Sequence, residues 1–164
     1  MSKNQKTTDM AIISPLRRQA DEIRALIAAE PDALSYDADD PAMELLHLRL
    51  ATDPGCDAVD RDGWRGLAVH WQIGVWRAEK EDGGAPIILP SLALLAADGR
   101  LCRLSGWPAV NAWCQILTAV KPERIRAGIP IVVRKRQSGS TGRQYWSVSI
   151  DDTAIDPSEI SPAK

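Results

Sequence analysis

Three cationic side chains stand in a row at Arg134-Lys135-Arg136. Arg143 and Tyr145 follow after a loop rich in Ser, Gly and Thr. Guanidinium and ammonium groups bind phosphates, and a Tyr or Trp ring offers a flat face to a nucleobase. A single nucleic-acid strand needs both: cations that track its phosphates without reading sequence, and aromatic faces worth roughly 1–3 kcal/mol per stacked base. Arg134, Lys135, Arg136 and Arg143 are the candidate phosphate contacts. Trp76 and Tyr145 are the candidate stacking faces, and Arg77 and Arg103 are cations of second rank. Two plainer readings compete. Charges on a strand also blunt an edge against aggregation, and an aromatic ring on a strand also serves a core.

Other chemistries find little material. His47 and His70 are far apart in sequence, and Cys56, Cys102 and Cys114 form no Cys-x-x-Cys pair, so no metal site is assigned. The glycine motifs of phosphate loops, dinucleotide folds and nucleophile elbows are missing. Asp37, Asp39 and Asp40 lack the ligand spacing and glycine of a calcium loop. Ser138 and Ser140 have no neighbouring base, and Cys114 falls on an apolar helix stripe. The expectation is a non-enzymatic protein without a cofactor.

The elements that must position the candidate residues follow from periodicity. Ser14-Pro15 suits a helix start, and Leu16, Ala20, Ile23 and Ile27 recur at helical spacing, predicting a helix over 15–30. A short second element runs from Pro41 to Leu50. From Leu67 to Arg77 the period changes to two. Leu67, Val69, Trp71, Ile73 and Val75 share one face, and His70, Gln72 and Trp76 the other. Ile87–Ala96 is a second strand, and Pro90 within it suggests an edge or a bulge. Asp98-Gly99 signals a hairpin into a third strand at Arg100–Leu104. A helix opened near Pro108 carries the stripe Val110, Trp113, Cys114, Leu117 and Val120, and Pro122 bounds it. Ile131–Arg136 and Gln144–Ile150 complete five strands. In the last pair Arg134, Arg136 and Tyr145 point outward, while Ile131, Val133, Trp146, Val148 and Ile150 point to the core. Trp71, Trp113 and Trp146 are expected in the core, and Trp64 and Trp107 are assigned to neither role.

Strand-strand-strand-helix-strand-strand is the order of the OB-fold, a small Greek-key barrel. With its basic, glycine-turned, aromatic final hairpin (Ile131 to Arg136, then Gly142 to Val148), the chain resembles the single-stranded-DNA-binding OB-fold proteins of bacteria and phages over about half its length. The resemblance implies a mainly β fold, a five-stranded OB-like barrel at 63–151. It implies single-stranded-DNA binding in replication or recombination. An acidic helical arm at 14–62 precedes the barrel, after a disordered stretch at 1–13, and an acidic flexible tail at 152–164 follows. The tail ends Ile160-Ser161-Pro162-Ala163-Lys164 and lacks the terminal aromatic of that family's partner-binding tip.

The 164 residues carry 20 basic and 22 acidic side chains, a net charge of -2 that conceals segregation. Residues 1–60 hold 6 basic and 12 acidic groups, residues 61–150 hold 13 and 6, and residues 151–164 hold 1 and 4. The strand-rich centre is thus a basic block between acidic flanks, the pattern of an electrostatic footprint. No run approaches the about 20 apolar residues that span a bilayer, and a cytoplasmic location is expected. Six Trp, two Tyr and no Phe make the aromatic inventory unusual. Two other functions fit the sequence: a protein-interaction module, such as a phage accessory or inhibitor protein, docking a partner or second copy through helix 15–30, and an RNA-binding version of the barrel.

Overall fold

The computed structural model describes residues 15–29, 32–55 and 58–155. The segments expected to be disordered at 1–13, and most of the acidic tail, lie outside the described residues. The strands are β1 (Arg65–Ala78), β2 (Ile87–Ala96), β3 (Leu101–Ser105), β4 (Ile129–Gln137) and β5 (Gln144–Ile150). The α-helices are α1 (Pro15–Ala28), α2 (Glu44–Thr52), α3 (Ala58–Arg61), α4 (Trp107–Ala119) and α5 (Pro122–Ala127), and a 3-10 turn at Pro41–Met43 leads into α2. Asp40 caps that turn by accepting a hydrogen bond from the Ala42 N–H at 2.9 Å.

The strands form one antiparallel sheet in the order β3-β2-β1-β4-β5. Among the described residues no ladder joins β3 to β5, so the sheet is open. Helix α4 packs on β5, β2 and β3, and the β3 and β5 edges approach each other without pairing. The long strand β1 changes partner along its length. Its first residues, Arg65–Ala68, pair with β4, whereas farther along its edge is met by a strap at 33–35. There the Ile73 N–H donates to the Ala33 carbonyl at 2.8 Å, and Leu34 bridges Gln72.

The alternation read from the sequence holds only beyond a bulge. The register of β1 against β2 slips between Ala68 and His70, which puts Ala68 in the core with Trp71 and Ile73 and leaves Val69 half-buried. An extra residue in one strand flips the side-chain parity. Pro90 falls where β2 becomes an edge: only Ser91–Leu95 pair with β3, whereas Ile87–Pro90 pair in the ladder with β1 alone. The Pro90 carbonyl accepts the Gly106 N–H at 2.7 Å, just past the last β3 rung at Ser91–Ser105. A residue's N and O point to the same neighbour in an antiparallel strand, so the missing N–H falls where β3 has ended. Pro122, in turn, opens α5 rather than merely closing α4.

Two apolar layers sandwich β2. On one face Leu92, Leu94 and Ala96 join Trp71, Trp113, Ile131, Val133 and the stripe Ala20, Ile23 and Ile27 of α1. On the other, Ala93, Leu95 and Leu101 pack around Leu50 of α2, with Tyr36 and Leu46 at the margin. The α1 stripe, expected to dock a partner or second copy, is therefore used inside the chain. Trp64 is also buried, and Trp107 remains partly exposed at the start of α4.

Leu50 is fully buried and anchors α2. Leu50→Ala is expected to lower stability by about 2–5 kcal/mol, read from the urea midpoint. A midpoint unchanged from the parent would show that α2 does not hold to the sheet through this side chain.

Candidate nucleic-acid interface

Strand β4 is buried from Ile129 through Val133 and exposed from Arg134 to Gln137. The change has a local cause. Strand β1 begins only at Arg65, opposite Val132, so the rest of the β4–β5 hairpin projects past the sheet. The segment before β1 braces its base. The Gly63 N–H donates to the Val133 carbonyl at 2.7 Å, and the Val133 N–H donates to the Trp64 carbonyl at 2.8 Å. Farther out, the Lys135 N–H donates to Asp62 Oδ1 at 2.9 Å.

The ladder sorts the hairpin's side chains. Arg136 faces Tyr145, Arg134 faces Ser147, and Val132 faces Ser149 on one side and Arg65 on the other. Arg134, Arg136 and Tyr145 thus share a face, as their alternation predicts. On the opposite face Lys135 faces Trp146. The Lys135 ammonium lies 5.7 Å from the Trp146 ring centroid, and the Arg61 guanidinium of α3 lies 5.3 Å from it. Trp146 is half-buried and packs against the margin of the core. In the turn, the Ser138 N–H donates to the Arg143 carbonyl at 2.8 Å and Gly142 takes φ +66°, holding Arg143 exposed at the tip.

The other candidates lie elsewhere. Trp76 and Arg77 are near the far end of β1, beyond the part paired with β4. Along an extended strand the distance from Gly63, which pairs beside Arg134, to Trp76 is roughly 40 Å at ~3.3 Å per residue. Exposed Arg77 pairs with Glu79, Nε to Oε1 3.1 Å. Arg103 is a correction to the sequence reading, because it is not a surface cation. It is 5% exposed, and its guanidinium donates to the carbonyls of Leu50 and Asp53 and to Ser91 Oγ. Its Cζ sits 4.7 Å from the Trp76 ring centroid, so Arg103 is what lies against that ring. Burial pulls the Arg103 pKa below the usual arginine range, and the Asp53 carboxylate opposes that shift.

Sequence reasoning missed Arg61, Arg65 and the cation-covered face of Trp146. Alternation did carry a signal for Trp146, since Lys135 follows Val133 on the same face and marks where the core ends. Arg65 pairs with Asp151 at 2.6 Å. That contact, followed by the Thr153 hydroxyl at 2.6 Å, holds the Asp151 carboxyl below the usual carboxylate range. The fold also unites the two distant histidines around Tyr36. Its hydroxyl is 2.8 Å from His47 Nδ1 and its ring meets His70 edge-on, while His70 Nδ1 is 3.3 Å from Ser35 Oγ. Burial raises the Tyr36 pKa. Ser35 also accepts the Trp71 N–H at 2.9 Å, so this cluster fastens the strap to β1.

Among the described residues no three His, Cys, Asp or Glu side chains are grouped to hold a metal, and no helix is long and apolar enough to cross a membrane. Comparison of the chain with protein-family models, curated proteins and solved structures finds no match in any of the three.

Removing the Arg103 guanidinium leaves buried carbonyls without a donor. Arg103→Ala is expected to cost roughly 2–4 kcal/mol, against about 0.5 kcal/mol or less for exposed Arg136→Ala. Equal urea midpoints for the two variants would reject the structural role of Arg103. The lowered Asp151 pKa also sets a pH window. Its contribution to stability is present above the unfolded carboxylate pKa of about 3.9 and is lost as pH falls through the folded value. The melting temperatures of the parent and Asp151→Asn should therefore differ at pH 7 and converge in acid. A gap that persists unchanged to pH 2 would contradict this.

Proposed function

We propose that this chain binds single-stranded nucleic acid, DNA in the first place, without catalysing a reaction, and that it serves replication or recombination. The observation that carries the reading is the exposed half of the β4–β5 hairpin, where Arg136 and Tyr145 are direct cross-strand partners beside Arg134. Phosphates would follow Arg134, Arg136 and Arg143 while a base stacks on Tyr145. Lys135, Trp146 and Arg61 offer the same pairing of cation and ring on the reverse face. The strand order also supports it. Joining β3 to β5 would turn the order β3-β2-β1-β4-β5 into the closed ring of an OB barrel. We read the open sheet as an OB-like barrel left unclosed between β3 and β5. Trp76 and Arg77 form a separate patch that a longer strand would reach.

Titration of fluorescein-labelled oligo-dT with the protein, followed by fluorescence anisotropy at two salt concentrations, tests the reading. Binding should raise the anisotropy and weaken with salt, with a log–log slope near -0.7 per phosphate neutralised. Arg134→Ala with Arg136→Ala should lower affinity at least tenfold and make that slope shallower by about 1.4. Absence of binding at low salt overturns the proposal. Unchanged binding by the double variant moves the interface elsewhere, and duplex bound as tightly as single strands rejects base stacking. Oligo-rU in parallel distinguishes RNA from DNA.

A further inference from the structure

Beside the hairpin is a cavity of about 670 Å³ that the interface does not use. It lies between the end of α2, the β2–β3 turn and the start of β1, and its wall includes Arg49, Arg65, Arg100, Asp53, Asp60 and Trp64. Its volume is within the roughly 300–1,000 Å³ of small-molecule sites. Three guanidinium groups open on one cavity whose wall also holds the Asp53 and Asp60 carboxylates, and each guanidinium is only partly engaged. Arg49 donates to the Gly99 carbonyl and lies 3.5 Å from Asp53. Arg65 pairs with Asp151 through Nη1. Arg100 donates to Asp98 through Nε and to the Arg65 carbonyl through Nη2, both at 2.7 Å. A guanidinium has five N–H donors, so most of the donors on these three side chains have no partner among the described residues. All three side chains are about half exposed.

We propose that this cavity binds the phosphate of a nucleotide. The inference rests on the nucleic-acid reading above and adds a terminal subsite to it. Guanidinium forks match phosphate oxygens in geometry and charge. Trp64 is 5% exposed with the Arg100 guanidinium 5.1 Å from its ring centroid, so the indole holds Arg100 in place rather than stacking a base. Asp53 and Asp60 supply acceptors for sugar hydroxyls or base amino groups. The cavity is continuous with the interface. A Cβ added at Gly63, in the cavity wall, would have Arg134 Nη1 as its neighbour at 3.6 Å, and Arg65 lies across from Val132 on the Arg134 face. A strand laid over Arg136 and Arg134 reaches the cavity next. The phosphate belongs either to the end of such a strand or to a free nucleotide.

Calorimetric titration with four probes separates these sources: dT8 with hydroxyl ends, dT8 with a 5′-phosphate, dT8 with a 3′-phosphate, and dTMP. An end-phosphorylated dT8 is expected to bind at least tenfold more tightly than the hydroxyl-ended strand. Arg49→Gln and Arg49→Glu should abolish that preference, with melting curves close to the parent's because the side chain is half exposed. Arg134→Ala with Arg136→Ala should weaken all strands alike and keep the preference. If dTMP binds and no strand does, the cavity is a free-nucleotide site and the strand-binding reading fails. If all three strands bind equally and dTMP does not bind, the cavity proposal is overturned and the interface stands. No heat with any probe overturns both.

Discussion

The buried guanidinium of Arg103 is the contact on which the two sides of the sheet depend. A charge in that position is costly unless its donors are satisfied. Here they are satisfied by the carbonyls of Leu50 and Asp53 at the end of α2 and by Ser91 on the neighbouring strand. The end of a helix carries partial negative charge from its unpaired carbonyls, so the arrangement is favourable electrostatically as well as by hydrogen bonding. It locks α2 over β2 and β3, which lets β2 bury both of its faces. The guanidinium also lies against one face of the Trp76 ring. The position of Arg49 in the cavity wall is a consequence, because α2 carries that residue on the turn before Leu50 and Asp53.

The second constraint is the mismatch in length between β4 and the start of β1. Pairing with β1 ends at Val132, and the buried run ends one residue later at Val133. Beyond that point the same alternating backbone has solvent where the core would be. On the inward parity Lys135 is exposed, while Trp146 is half-buried against the margin of the core with the Lys135 and Arg61 cations over its ring. The hairpin therefore carries cations and an aromatic ring on each face.

Charge segregation along the chain has a structural counterpart. Arg65 of the basic centre is held by Asp151 of the acidic C-terminal stretch, while Arg100 is held by Asp98 within the centre itself. The exposed Arg100–Asp98 pair contributes little stability, whereas the Asp151 carboxylate is largely buried. Both pairs keep guanidinium groups oriented while leaving donors open.

Local pattern alone determined the strands β4 and β5, the α4 stripe, the hairpin at Asp98-Gly99 and the shared face of Arg134, Arg136 and Tyr145. Each depends on neighbours within a few residues and on a period of two or 3.6. Tertiary structure decided what period cannot encode. The bulge at Ala68–His70 reversed the expected parity at the start of β1, and the edge at Pro90 depended on where β3 ends. Arg103 and Arg134 look alike as cations on alternating strands, yet one lies under α2 and the other lies past the end of the sheet. His47, His70 and Tyr36 converge only through α2 and the strap. Side-chain periodicity shows which face a residue is on, but whether that face meets a helix, a second strand or water depends on elements distant in the chain.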